Sequence, residues 1–119
     1  MQNAKALFKW NSSAPYYGEV FSEDFKESMA NYLINGFMPG GFAESMLAHD
    51  LERALYNCDT HNRKVFVAIA RWIREECPEG SHGSYEAVQD WCSDRYSLRS
   101  NYALPLTKAY MWKTLKEPA

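Results

Sequence analysis
Residues 22–94 read as a series of amphipathic stretches cut by Gly and Pro, and this punctuation constrains the fold more than any other feature. Ser22 followed by Glu23 and Asp24 has the form of a helix start: an N-cap oxygen, then carboxylates at the positive end of the helix dipole. Phe25, Met29, Tyr32 and Leu33 repeat at helical spacing, and Asn35-Gly36 supplies a left-handed stop. Pro39, Gly40 and Gly41 then force a reversal. A second helix is predicted over about residues 42–56, with Ala43, Leu47, Leu51, Ala54, Leu55 and Cys58 toward the core. Asp59 or Thr60 caps a third, whose Val65, Phe66, Ile69, Trp72 and Ile73 make an apolar face that Val67, Ala68 and Ala70 widen. It is the predicted central helix. Residues 77–83 form a loop, and Ser84 caps a short fourth helix that buries Tyr85, Val88, Trp91 and Cys92.

The flanks are less regular. Residues 4–10 and 18–21 have the pattern of two short strands around a turn. Residues 95–102 read as loop, and residues 106–115 suit either a helix or a strand pairing with the N-terminal segment. The expectation is one domain spanning residues 1–119, mainly α: a compact bundle of about four helices, to which the termini could add a small β-hairpin or paired strands. There is no internal repeat.

Charge divides the chain in a way its net value of −2 conceals. Residues 22–94 carry thirteen acids and six bases, whereas the flanks carry seven bases against Glu19 and Glu117. An acidic middle lies between basic ends. Aromatic residues make up 15% of the chain, more than a core of this size encloses, so several rings are expected at the surface, where they favour a partner interface. No apolar run approaches the roughly 20 residues of a membrane span, and Cys58, Cys77 and Cys92 are odd in number without a secretory leader. Reduced, packed thiols and a cytoplasmic protein are the expectation.

The segment from Tyr32 to Trp91 contains NGFMPGGF, LAHDLERAL, DTHN, IARWIREECPEG and GSYEAVQDW. This pattern resembles a family of short bacteriophage proteins, mostly without assigned activity, with Gly-x-x-Pro-Gly-x-Phe, a helix containing Asp-Leu, an Asn capping turn, and Gly-Ser-x-x-x-Val-x-x-Trp. The resemblance covers about half of the chain and rests on turn glycines, caps and core residues. It implies a phage origin and a small helical module. Small phage proteins without a catalytic signature commonly bind and redirect a host protein, and inhibitors of restriction or CRISPR systems form one such class.

Candidate chemistry is sparse. Cys58-x2-His61 and Cys77-x4-His82 superficially suit tetrahedral zinc, but the pairs flank one predicted helix and would stand roughly 20 Å apart at 1.5 Å per residue. No metal or cofactor is expected. His49 and Asp50, placed on the second helix, would point about 100° apart and make a poor acid–base pair. Ser81 and Ser84, near His82, read as caps, and the Met-Pro-Gly-Gly string lacks the Lys of a phosphate loop.

Two binding readings remain. In the first, the protein is a noncatalytic inhibitor whose acidic residues Glu75, Glu76, Glu79, Glu86, Asp90 and Asp94, with Tyr16 and Tyr17, contact a host protein that has a basic surface. In the second, Lys5, Lys9, Arg95, Arg99, Lys108, Lys113 and Lys116 hold single-stranded nucleic acid beside Trp10, Tyr16, Tyr17, Tyr96, Tyr102, Tyr110 and Trp112. A pI near 5.9 favours the first. The sequence leaves a homodimer open.

Overall fold
A computed structural model describes the backbone of residues 21–116 and the side chains as far as Lys108. The described chain is mainly helical, with α1 Glu23–Asn35, α2 Gly41–Leu47, α3 Leu51–Asn57, α4 Thr60–Lys64, α5 Phe66–Glu76, α6 Tyr85–Cys92 and α7 Leu98–Lys116. A single 3-10 turn, Arg95–Ser97, joins the last two. No strand occurs among the described residues, and the predicted N-terminal strands lie almost wholly outside them.

α1 begins and ends where its residues dictate. The Ser22 hydroxyl accepts from the Phe25 amide at 3.1 Å. At the other end Gly36 takes φ 71°, and the Gly36 and Phe37 amides reach back to the carbonyls of Tyr32 and Asn31 at 3.1 and 3.3 Å. This is a Schellman stop, which satisfies carbonyls that the helix leaves open.

The predicted helix over residues 42–56 is two helices. The Ser45 hydroxyl bonds back to the Gly41 and Phe42 carbonyls, both at 2.8 Å, and His49 adopts φ 62°. Asp50 then caps a new helix by accepting from the Arg53 amide at 3.2 Å. The break rotates α3 away from the direction a continuous helix would take. Leu47 is buried as expected, but Leu51 and Leu55 face outward.

The third predicted helix also divides. Asp59 caps α4 by accepting from the Asn62 amide at 2.7 Å, and Val65, at φ −111° and ψ 14°, leaves helical geometry before α5 starts. Val67 and Ala70 are exposed, so α5 is not the most enclosed helix. That place belongs to α1, which buries Phe25, Met29, Ala30, Tyr32 and Leu33. α6 starts where expected, the Ser84 hydroxyl accepting from the Ala87 amide at 3.0 Å, but of its four expected core residues Val88 and Trp91 are buried while Tyr85 and Cys92 are half-buried.

Residues 95–102, expected to be loop, enter the 3-10 turn and α7. Asp94 makes this possible. It accepts from the Ser100 amide at 2.9 Å and from the Ser100 hydroxyl, satisfying the first turn of α7.

Two aromatic groups organise the core. Phe21 meets Phe25 and Trp72 edge-on at 5.3 and 5.9 Å, and Trp91 lies 6.3 Å from Tyr32 and 5.8 Å from Tyr102. Each such ring withdrawn from water contributes about 1.5–3 kcal/mol. Two polar groups of the core are paired: the Tyr32 hydroxyl donates to the Ser81 carbonyl at 2.6 Å, and the Trp91 indole donates to the Tyr32 carbonyl at 3.2 Å.

Candidate functional site
The break at His49 opens a hollow of about 280 Å³ between α3 and α5. Its floor is apolar, formed by Met46, Ala54, Phe66, Ala70 and Ile73, while His49, Asp50 and Arg74 also line it. Over the outer side of α3 a second, shallow hollow is lined by Asp50, Glu52, Arg53, Leu55 and Tyr56. Asp50 belongs to both.

Large apolar side chains face water: Leu51 lines the first hollow, Leu55 and Tyr56 line the second, and Val67 lies at the start of α5. Leu51 is 62% exposed, Leu55 54%, Tyr56 89% and Val67 70%. Hydrophobicity alone assigned Leu51, Leu55 and Val67 to the core. The signal that separates Leu51 and Leu55 is the His49-Asp50 dipeptide, because Asp is a strong cap and restarts the helical phase one residue before Leu51.

The polar residues beside the hollow form two separate groups. Asp50 accepts from the Tyr85 hydroxyl at 2.6 Å, and Arg53 donates to that hydroxyl at 3.0 Å and to Glu44 at 3.1 Å. The Tyr85 bond, followed by the Arg53 amide, holds the Asp50 carboxyl below its ordinary range. The second group is His49 with His82, whose Nε2 and Nδ1 atoms lie 2.9 Å apart. Burial, then the neighbouring His49 and Arg74, lowers the His82 imidazole from its ordinary value, with Glu79 opposing. The positions of His49 and Asp50 thus differ from the sequence expectation: both lie in the turn between two helices, and both line one hollow. Each nevertheless hydrogen-bonds to a different partner, so the arrangement is Asp–Tyr–Arg beside His–His.

Among the described residues, no group of three or more His, Cys, Asp or Glu side chains could hold a metal. Cys58, Cys77 and Cys92 are free thiols, Cys77 buried and the others partly so, and burial raises all three above the usual thiol value. Ser84 and Ser81 act structurally, Ser84 as the cap of α6 and Ser81 through its own hydroxyl, which donates to the Pro78 carbonyl at 2.6 Å.

The acidic set divides by role. Glu75, Glu76, Glu79 and Glu86 are exposed, with Glu75 loosely paired to Arg71 at 3.8 Å. Asp90 lies 3.5 Å from Arg95, and Asp94 holds Ser100 as described above. Tyr16 and Tyr17 lie outside the described residues. Two of the basic flank residues are engaged internally: Arg95 sits 4.9 Å over the Tyr96 ring, and Arg99 donates to the Trp91 and Ile34 carbonyls at 3.2 and 3.3 Å.

No described helix is long and apolar enough to cross a membrane. Compared with known proteins, the chain matches no family model, no curated protein and no solved structure.

Proposed function
We propose that this protein is a noncatalytic accessory protein that acts by binding another protein, and that α3 and the adjoining start of α5 form its contact face. The observation that carries this reading is the exposure of Leu51 at the apolar hollow and of Leu55 and Tyr56 at the shallow hollow on the outer side of α3, with Val67 also exposed at the start of α5. Apolar side chains gathered about a concave floor, with charged neighbours such as Glu52 and Arg53, are the usual composition of a protein-binding surface. The hollow suits one anchoring side chain of the partner, and the surrounding residues exclude water from it.

The exposed carboxylates Glu75, Glu76, Glu79 and Glu86 give the encounter a preference for a basic partner, accelerating approach more than they deepen affinity. With the phage-like sequence pattern, this makes a host protein with a nucleic-acid-binding surface, such as a restriction or CRISPR effector, the first partner to test.

Affinity capture of the tagged protein from host cells should recover one stoichiometric host protein. A Leu55→Asp, Val67→Asp double variant should fold normally and lose that protein, and Glu75→Lys with Glu79→Lys should slow its association. Equal capture by the double variant would exclude the α3–α5 face. Strong retention on heparin, falling steeply with salt, would favour direct nucleic-acid binding instead.

A further inference from the structure
His49 Nε2 and His82 Nδ1 stand 2.9 Å apart, and their rings are tilted by 40° with centroids 5.0 Å apart. They belong to segments 33 residues apart, the α2–α3 turn and the α5–α6 loop. His49 is exposed and reaches this position from a left-handed backbone conformation, φ 62°, which non-glycine residues rarely adopt. A neutral imidazole has one donor nitrogen and one acceptor nitrogen, so a contact between two ring nitrogens holds one proton. A second proton makes both nitrogens donors and sets two positive charges against each other.

The surroundings oppose that second charge. Arg74 of α5 adds a positive field at His82, while Glu79 of the loop counters it in part. Asp50, beside His49, hydrogen-bonds to Tyr85 and to the Arg53 amide. Two other contacts of the loop are hydrogen bonds to backbone carbonyls. Its inner end is fixed by the Tyr32 bond to the Ser81 carbonyl, and Gly83 donates to the Leu47 carbonyl at 2.8 Å.

From this geometry we infer that His49 and His82 form a one-proton latch that holds the outer part of the 77–84 loop on the α2–α3 turn and releases it when both rings are protonated. The latch also sets the rim of the hollow, because His49 lines it. The sign follows from the lowered His82 imidazole: the open form binds the proton more readily than the closed one. The latch is fully closed above the ordinary histidine value of about 6.5 and weakens as pH falls through and below it. Two histidines are too few for a structural metal site, and the pair is better suited to protons.

Histidine-selective NMR and amide-exchange protection factors, measured on the whole chain from pH 7.5 to 5.5, test the latch. Protection of residues 82–84 should fall about tenfold over that range, the change for one proton taken up by the open form alone. Tyr32 should stay protected. In His49→Asn, which tolerates the left-handed backbone, and in His82→Gln, the pH dependence should vanish, and in His49→Asn the His82 titration should move up. Unchanged protection of the wild-type loop between pH 7.5 and 5.5 would overturn the inference, whatever the variants do. So would pH dependence that persisted in both variants.

Discussion
Tyr32 donates its buried hydroxyl to the Ser81 carbonyl at 2.6 Å, while its own carbonyl accepts from the Trp91 indole at 3.2 Å. One residue of α1 thereby ties down both the 77–84 loop and α6, the segments that follow the α5 side of the hollow. The hydroxyl is deeply buried, and burial pushes its pKa far above the ordinary phenol value, so it remains a donor at any physiological pH.

Tyr32→Phe should therefore destabilise the protein by about 1–3 kcal/mol, the penalty of leaving a buried carbonyl without its donor. Urea unfolding followed by tryptophan fluorescence gives the difference directly. A change below about 0.5 kcal/mol would show that water reaches the Ser81 carbonyl.

Gly36 is the least replaceable of the described glycines. A Cβ there would stand 2.9 Å from the Cys92 carbonyl and closer still to the Arg99 guanidinium, in a backbone with φ 71°. Gly36→Ala should cost roughly 2 kcal/mol, combining left-handed strain with the displacement of Arg99 from the Trp91 and Ile34 carbonyls. Thermal unfolding of Gly36→Ala, Arg99→Ala and the double variant should be non-additive, since both single changes disturb the same contact.

Acid should loosen the start of α7. The Ser100 hydroxyl and then the Ser100 amide hold the Asp94 carboxyl below its ordinary value of 3.8. A carboxyl lowered in the folded state contributes stability above its unfolded value and loses it as pH falls through that value toward the folded one. Urea midpoints should therefore drop more steeply between pH 5 and 3 for the wild type than for Asp94→Asn. Parallel curves would contradict this role.

The thiols should react in order of exposure. Cys77 is buried and its pKa is raised well above the usual value by burial, whereas Cys58 lies at a helix end and is only partly covered. With a thiol reagent at pH 8, Cys58 should be labelled before Cys77, and Cys77 should react only as fast as the protein opens. Rapid labelling of Cys77 would mean that its cover is missing in solution.

The parts of the fold legible in the sequence are those fixed locally. Ser22, Gly36, Asp59 and Ser84 act through hydrogen bonds to neighbours a few residues away, and all four function as their residue types predict. Tyr32, Leu33, Val88 and Trp91 were legible by spacing. The breaks at His49 and Val65 were not, because nothing in an apolar period of 3.6 distinguishes a continuous helix from two that restart in a new phase. The candidate surface follows from that break. Asp50 as a cap turns Leu51 and Leu55 outward, and the pairing of His49 with His82 depends on a contact across 33 residues that no local pattern encodes. Residues 95–102 were misread for a related reason: Asp94 replaces the missing helical bonds through its side chain.

Site-specific photo-crosslinking in host cells tests the proposed α3–α5 contact surface most directly. A photoreactive phenylalanine analogue placed at Tyr56 or Val67 should give one discrete adduct with a single host protein, the same from both positions. The analogue at Glu27 of α1 should give none, and Leu55→Asp should abolish the adduct without shifting the unfolding midpoint by more than about 0.5 kcal/mol. Adducts that form equally well from Glu27, or that survive Leu55→Asp undiminished, would contradict the account.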